Sequence, residues 1–282
     1  MKTLLSILSI LIAVGTASAS YAETTLKELQ DKGVVRLGFA NEAPYSFTAP
    51  NGDLAGVDYE VMKIIFDKLG VPKIEGVLTP FSSLIPGLKS NRFDIVGTGL
   101  YIRPDRCKQV AFSEPTIVVA SAMIVPIGNP KNLHSFADLA KDPSLTLGHV
   151  VGGTNTTAEA DGVKPEQFKS FADVITTVSA LKSGRVDAVL RTYIDAVDVV
   201  RKAGDGKLEV AQPFTLPIKD GSPMQNYAGY AFRPEDKGLL QAFNAELVKI
   251  LSTPTHKAIL DKYNILQPDY PFAKDTAKVC GG

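Results

Sequence analysis

Short apolar segments alternate with amphipathic helical segments along this 282-residue chain. Val34–Phe39 is a mainly apolar run typical of a buried strand. Residues 58–69 then repeat apolar side chains at helical spacing, with Asp58 as the predicted N-cap and Gly70 as the stop. Further strands are predicted over 73–78 and 93–96, and a short helix over 82–90. Strands separated by helices predict an α/β fold with βαβ units and largely parallel sheets.

Two segments of the chain have nearly the same construction. LKSNRFDIV over 88–96 and LKSGRVDAV over 181–189 each read as a helix end, a tight turn and a strand start. One interpretation is chance, since helix–turn–strand joints reuse these residue types. The other is a pair of lobes of similar construction, with a second unit over about 127–223.

The first 22 residues have the layout of a secretory signal. Lys2 is followed by the apolar run Leu4–Val14 and by small residues that allow cleavage after Ala22. Without the signal, about 260 residues remain, more than one compact core usually holds. We therefore expect a free, monomeric, periplasmic protein with two lobes.

The β-rich segments 120–125 and 227–232 flank the second unit and are predicted to cross between the lobes. The predicted bounds are 23–124 and 224–270 for the first lobe, 125–223 for the second, and 271–282 for a loosely structured C-terminal tail. Two crossings form a hinge, and ligands in open α/β sheets bind beyond the carboxyl ends of strands. The cleft between the lobes is the predicted site.

Composition excludes several functions. Basic and acidic residues number 30 each, so the chain lacks the basic stripe that nucleic acids require. No CxxC or HxxxH spacing indicates a metal, and no cofactor is expected. His134, His149 and His256 are interpreted as ordinary surface or core residues. Cys107 and Cys280 are expected to pair in an oxidising compartment, although two free thiols remain the alternative.

Candidate binding residues follow three predicted strands of the first lobe. Arg106 has a planar fork suited to a carboxylate. Three aromatic residues, Tyr45, Phe81 and Tyr101, could surround a cation, and Glu42 could accept hydrogen bonds from cationic N–H groups. Singly, such residues are more often surface ion pairs or packing residues, so their value lies in their convergence on one cleft.

The same segments carry a family resemblance. The diagnostic segments are EAPY over 42–45, GVD over 56–58, residues 81–88, RFDI over 92–95 and RPDR over 103–106 through FSEP over 112–115. The chain resembles the type 3 (polar amino acid) extracellular solute-binding proteins of ABC importers. Within that family it is most similar to ectoine/hydroxyectoine-binding proteins, through residues 38–45, 106–112 and 128–135.

This resemblance implies a role for each candidate. Arg106 matches the carboxylate clamp, the three aromatic residues match a cage, and Glu42 matches the contact to the ligand's ring nitrogens. Thr154, between Gly153 and Asn155 at a predicted helix start, matches the second-lobe group that closes on the carboxylate. Binders of ordinary amino acids usually place an Asp where this chain has Thr192, and Asp195 could replace it only if the loop differs.

The sequence therefore predicts a two-lobed clamp of the type II periplasmic binding-protein kind, each lobe a mixed, mostly parallel sheet with flanking helices. It would capture ectoine or hydroxyectoine, small zwitterions, for an ABC permease. The alternatives are a polar or cationic amino acid or a betaine as ligand, and a dehydratase on the same scaffold. The dehydratase would need an acid and a second cation in the cleft, where only Glu42 and Arg106 are expected.

Overall fold

The computed structural model describes residues 26–153, 155–267 and 271–281. The predicted signal peptide lies outside the described residues. The strands are β1 (Val34–Phe39), β2 (Phe47–Thr48), β3 (Leu54–Ala55), β4 (Lys73–Leu78), β5 (Ile95–Val96), β6 (Ala111–Phe112), β7 (Ile117–Val119), β8 (Ser121–Pro126), β9 (Leu147–Val150), β10 (Phe168–Phe171), β11 (Ala188–Thr192), β12 (Leu208–Val210), β13 (Ile218–Lys219), β14 (Ser222–Pro223), β15 (Asn226–Ala228) and β16 (Ala231–Phe232).

The helices flank these strands along the chain. They are α1 (Leu26–Lys32), α2 (Val57–Lys68), α3 (Leu84–Lys89), α4 (Pro104–Cys107), α5 (Phe136–Lys141), α6 (Thr156–Ala160), α7 (Val174–Lys182), α8 (Tyr193–Ala203), α9 (Lys237–Ile250), α10 (Pro254–Lys262) and α11 (Thr276–Cys280). Single 3-10 turns cover Phe81–Ser83 and Pro165–Gln167. Within the described ranges, no helix is both long and apolar enough to span a membrane.

Two five-stranded sheets have the same plan. The first has the order β4-β1-β5-β16-β6 and the second the order β10-β9-β11-β8-β12. In each sheet three neighbouring strands are parallel, and the remaining strands pair antiparallel. The repeated joints lead from α3 into β5 and from α7 into β11, which occupy the same place in their sheets. The interpretation of the repeat as two similar lobes is therefore confirmed.

The crossings between the lobes are shorter than predicted. β7 and β15 pair antiparallel as a separate ribbon, with Val118 opposite Tyr227. β8, predicted as a crossing, belongs to the second sheet, where Met123 and Ile124 are buried in cores on opposite faces. Apolar cover on both faces is typical of an interior strand and not of a linker. The second sheet thus begins ahead of residue 125, while the remaining lobe bounds stay predictions.

Helix α2 begins differently from the prediction. Gly56 and not Asp58 is its N-cap, with φ 120°, and a Cβ there would lie 2.1 Å from the carbonyl oxygen of Tyr45. The buried carboxylate of Asp58 instead accepts a 2.6 Å hydrogen bond from the backbone N–H of Gly99. The expectation of an Asp58 cap is wrong because this carboxylate holds the loop that follows β5.

The described part of the C-terminal tail contains helix α11, so the prediction of a loosely structured tail is wrong over these residues. Asp275 caps this helix by accepting a hydrogen bond from the backbone N–H of Lys278. The predicted Cys107–Cys280 disulfide is present, with the two Cα atoms 5.8 Å apart. It joins α11 to α4, the helix that carries Arg106.

Candidate ligand-binding cleft

A cavity lies between the two lobes, and the sequence candidates meet there. Its volume is about 70 Å³, where roughly 10–15 Å³ holds one water molecule, so the cleft has room for a small solute. Its lining residues are Glu42, Tyr45, Phe81, Gly99, Tyr101, Arg106, Ser121, His149, Val150, Gly153, Leu190, Arg191 and Thr192. Asn155 and Asp195 do not line it, and Thr154 lies outside the described residues.

The strand order explains this convergence. Glu42 follows β1, Phe81 follows β4 and Tyr101 follows β5, and these three strands are adjacent and parallel. Parallel strands end at the same edge of a sheet, so the loops beyond them share one surface. On the other side of the cleft, His149 and Thr192 come from the ends of β9 and β11.

Arg106 spans the cleft from its place on α4. Its guanidinium donates to the carbonyl oxygen of Tyr101 at 2.9 Å and, across the lobes, to that of Gly152 at 2.8 Å. Its Cζ also lies 5.7 Å from the centre of the Phe81 ring. Burial lowers the pKa of Arg106 to about 10, which leaves it cationic at neutral pH. Phe81 thus supports the arginine as well as lining the cavity.

Tyr45 and Tyr101 contribute buried aromatic walls. Tyr45 is 2% exposed and Tyr101 is 7% exposed. The ring of Tyr45 packs so close to Gly99 that a Cβ there would lie 2.7 Å from it. The backbone of Tyr101 is fixed by an isolated antiparallel β-bridge to Ala228 of β15. Burial raises the pKa of both phenols, so both rings are neutral.

Arg191 is a cavity residue that sequence reasoning missed. It forms an ion pair with Asp195 one helical turn along the chain, and its Nη2 lies 3.4 Å from Oε1 of Glu42 in the other lobe. The expectation that Arg106 is the only cation at the cleft is therefore wrong, whereas Glu42 is, as expected, the one acid among the described residues that line the cavity. The signal was available, because Arg191 stands at the end of β11, where the strand-end argument applied to the first lobe would have found it.

Burial dominates the electrostatics of this group. The side chains of Arg191, Glu42 and Asp195 are 8%, 11% and 2% exposed. Loss of solvent raises the pKa of Glu42, and Arg191 opposes that rise. The two carboxylates in turn raise the pKa of Arg191 against its own desolvation. Arg191 therefore stays charged.

Asp195 does not face the cavity in the way an ammonium-binding carboxylate would. Its carboxylate contacts Arg191, and its backbone N–H donates to the hydroxyl of Thr192 at 3.1 Å, capping α8. Within the described residues, the cleft thus lacks a second-lobe carboxylate open to a ligand ammonium. Thr192, at the corresponding position, lines the cavity instead.

Comparison with known proteins places the chain in a family. The model of the bacterial extracellular solute-binding proteins, family 3, matches residues 35–265. This chain belongs to that family. It is 34% identical over 261 residues to a probable amino-acid ABC transporter periplasmic-binding protein of Sinorhizobium fredii, covering 91% of this chain and 86% of the relative. It is 29% identical to the lysine/arginine/ornithine-binding periplasmic protein of Escherichia coli, covering 93% and 97%.

Solved structures of this family of solute-binding proteins share the fold. The crystal structure of EhuB in complex with hydroxyectoine superimposes with a TM-score of 0.81 and 30% identity, covering 91% of this chain and 98% of EhuB. The predicted two-lobed periplasmic binding-protein fold is therefore confirmed. Its relatives are transport binding proteins, and the chain is a binding protein and not an enzyme.

In this solute-binding protein the lobes touch across the cleft. Gly152 of the second lobe, with φ +81°, lies so close to Ser82 of the first that a Cβ would be 2.7 Å from the Ser82 Cα. Arg103 donates across the same gap to the carbonyl oxygen of Gly153 at 3.3 Å. The cleft is thus in a closed conformation, with hydrogen bonds made directly between the lobes.

Two polar residues of the second lobe complete the cavity. His149, interpreted from sequence as a surface or core residue, shares a 2.8 Å hydrogen bond with Ser170, and burial lowers its pKa. Ser121 donates to Thr157 at 3.1 Å.

In the part of the chain that the structure describes, no group of three or more His, Cys, Asp or Glu side chains could hold a metal ion.

Proposed function

We propose that this protein is the periplasmic solute-binding component of an ABC importer and captures ectoine or hydroxyectoine by closure of its lobes. The single observation that carries this proposal is the composition of the cavity. One face has a buried arginine fork, Arg106, the walls are the aromatic rings of Tyr45 and Tyr101, and the acids at the cleft already contact Arg191.

The anionic end of the ligand would be held by Arg106. A guanidinium offers parallel N–H donors that match a carboxylate, and burial strengthens such a bond. The backbone hydrogen bonds to Tyr101 and Gly152 fix the orientation of the guanidinium. A carboxylate bound there would touch both lobes, because Gly152 belongs to the second.

The cationic end would lie against the aromatic rings. Each desolvated cation–π contact contributes on the order of 0.5–2 kcal/mol, and micromolar affinity needs about 8 kcal/mol net. A delocalised amidinium can also donate to Glu42, whose contact with Arg191 is long at 3.4 Å. Rings and one shared carboxylate suit a delocalised cation better than a compact, strongly hydrated ammonium.

Lobe closure provides the transport signal. A ligand that contacts both lobes only in the closed form shifts the population toward that form, which a permease can distinguish from the open one. The hinge ribbon of β7 and β15 supports this mechanism, since two short antiparallel strands are the link between the sheets.

Calorimetry on the mature protein tests the proposal. Ectoine, hydroxyectoine, glycine betaine, glutamine and arginine are titrated separately, after thermal-shift screening to select ligand concentrations. Ectoine or hydroxyectoine should bind most tightly, in the micromolar range or below. Tighter binding of glutamine or arginine would reject the compatible-solute assignment and leave the solute-binding role intact.

An amino acid is the second candidate ligand. The relatives named above are described as amino-acid or lysine/arginine/ornithine binders, and the Arg106 fork would serve any α-carboxylate. The position of Asp195 against Arg191 disfavours this candidate, because a ligand ammonium would have to displace a buried ion pair.

A further inference from the structure

Four charged side chains surround the cavity, and their formal charges cancel. Arg106, Arg191 and Glu42 line it directly, and Asp195 lies immediately behind Arg191. Arg106 and Glu42 come from the first lobe, and Arg191 and Asp195 from the second. Of the other carboxyl groups nearby, Asp58 accepts a hydrogen bond from Gly99 of the cavity lining, whereas Asp105 and Asp198 each form ion pairs with basic residues outside this group.

Arg191 occupies the central place in this arrangement. Its Nε side contacts Asp195 of its own lobe, while its Nη2 reaches Glu42 of the other lobe. All three side chains are nearly excluded from solvent, with Arg191 only 8% exposed. Solvent screening between them and a bound ligand is accordingly weak.

We infer that Arg191 sets the charge preference of this cleft by making the site electrically neutral, so that it accepts net-neutral zwitterions and rejects net-cationic amino acids. This inference rests on the proposed solute-binding function but not on ectoine as the ligand. A net cation bound in the closed cleft would leave one positive charge buried without a partner, which is strongly unfavourable.

The same geometry shows what the site would be without Arg191. Glu42 and Asp195 would then be two buried carboxylates at one end of the cavity, opposed by Arg106 alone. Such a site carries a net negative charge and would favour a ligand with one carboxylate and two cationic groups. Arginine, lysine and ornithine have that chemistry.

Arg191→Met tests the inference, because methionine keeps an unbranched side chain and removes the charge. Calorimetry compares arginine, glutamine and glutamate, whose net charges are +1, 0 and −1; glutamine and glutamate are nearly equal in shape. In the wild type the neutral ligand should bind tightest of the three. In Arg191→Met the affinity for arginine relative to the best neutral ligand should rise by about tenfold or more.

Asp195→Asn provides the test of opposite sign. Asp195 does not line the cavity, so it acts on the ligand through its charge and through Arg191 and not through direct contact. This variant makes the site net positive, and the affinity for glutamate relative to glutamine should rise. The double variant Arg191→Met/Asp195→Asn carries no net charge change and should return toward the wild-type preference for neutral ligands.

Arg191→Lys is the matched control, since it keeps the charge and should keep the neutral preference. Circular dichroism melts establish that each variant is folded. If Arg191→Met does not fold, Asp195→Asn alone tests the inference. Unchanged preference between arginine and neutral ligands in Arg191→Met, or preference for glutamate in the wild type, would overturn the inference. A wild-type protein that prefers glutamine to ectoine would reject the ligand assignment alone, whereas binding of no solute at all would reject the proposed function.

Discussion

The phenol oxygen of Tyr45 and the hydroxyl oxygen of Thr192 are 2.8 Å apart, although 147 positions separate the two residues in the chain. Tyr45 belongs to the first lobe, and Thr192 ends β11 of the second. Together with the bond from Arg106 to Gly152, this contact fastens the closed cleft from the two sides of the cavity. Groups that line the cavity therefore also hold it shut.

Removing the Tyr45 hydroxyl should weaken ligand binding by destabilising the closed form. One net hydrogen bond contributes about 0.5–1.5 kcal/mol, so Tyr45→Phe should lower affinity roughly two- to tenfold. Calorimetry with the preferred ligand measures the change. Thr192→Ser keeps the hydroxyl and is the matched control; an equal loss in that variant would mean that the methyl packing of Thr192 matters and the bond to Tyr45 does not.

The fork of Arg106, and not only its charge, should be required. Arg106→Lys keeps a cation but cannot reach Tyr101, Gly152 and a ligand carboxylate together, so affinity should fall by about tenfold or more. Arg185→Lys is the control, because Arg185 also stacks on an aromatic ring, 5.6 Å from the centre of Phe171, and does not line the cavity. Full affinity in Arg106→Lys would remove bidentate binding from the mechanism.

The face of Tyr101 should contribute more than its hydroxyl. Tyr101→Ala should weaken binding of ectoine about tenfold, in line with the upper range for a desolvated cation–π contact. Tyr101→Phe keeps the ring and should bind within a few-fold of the wild type. If the two variants lose affinity equally, the hydroxyl is the group that contacts the ligand.

Asp58 should make stability depend on pH. Burial raises its pKa from 3.8 to about 6, so the folded protein binds the proton more tightly than the unfolded chain. The stabilising contribution is complete below pH 3.8 and is lost as the pH rises through 6. Urea unfolding should show Asp58→Asn gaining about 2–3 kcal/mol relative to the wild type between pH 4 and pH 7. Asp220→Asn, at an exposed turn, is the control for removing a carboxylate. If the free energy of unfolding depends on pH in the same way in both variants, the prediction is contradicted.

The disulfide should stabilise both the fold and the site. Cys280→Ser frees α11 from α4 and should lower the free energy of unfolding by about 2–4 kcal/mol. Because Cys107 directly follows Arg106, ligand affinity should fall as well. Non-reducing mass spectrometry of the wild type should find no free thiol. If Cys280→Ser leaves the ligand affinity unchanged, the disulfide stabilises the fold without supporting the site.

Local signals in the sequence predicted much of this molecule. The strand Val34–Phe39 and the repeated joints before β5 and β11 are set by apolar spacing and turn residues, which depend on near neighbours. The strand-end rule also located Glu42, Phe81 and Arg106 at one cleft. These predictions succeeded because parallel strands must end at a common edge.

Other features depend on residues far apart in the chain. Asp58 has the pattern of a helix cap, yet it bonds to Gly99, and only the tertiary fold brings that loop to it. The β-rich segment over 120–125 has the composition of either a crossing or an interior strand, and burial on both faces made it a strand.

The sequence by itself determined the alternation of elements, the two-lobed plan and the residue types that follow the strands of the first lobe, because these follow from local spacing and chemistry. Only the tertiary structure decided which charged side chains at the cleft pair with one another. It placed Arg191 between Asp195 and Glu42, and Tyr45 against Thr192, across a cleft whose two walls lie about 150 positions apart in the chain. The reason is physical: an ion pair between lobes depends on the closure of two domains, and no local pattern records that distance.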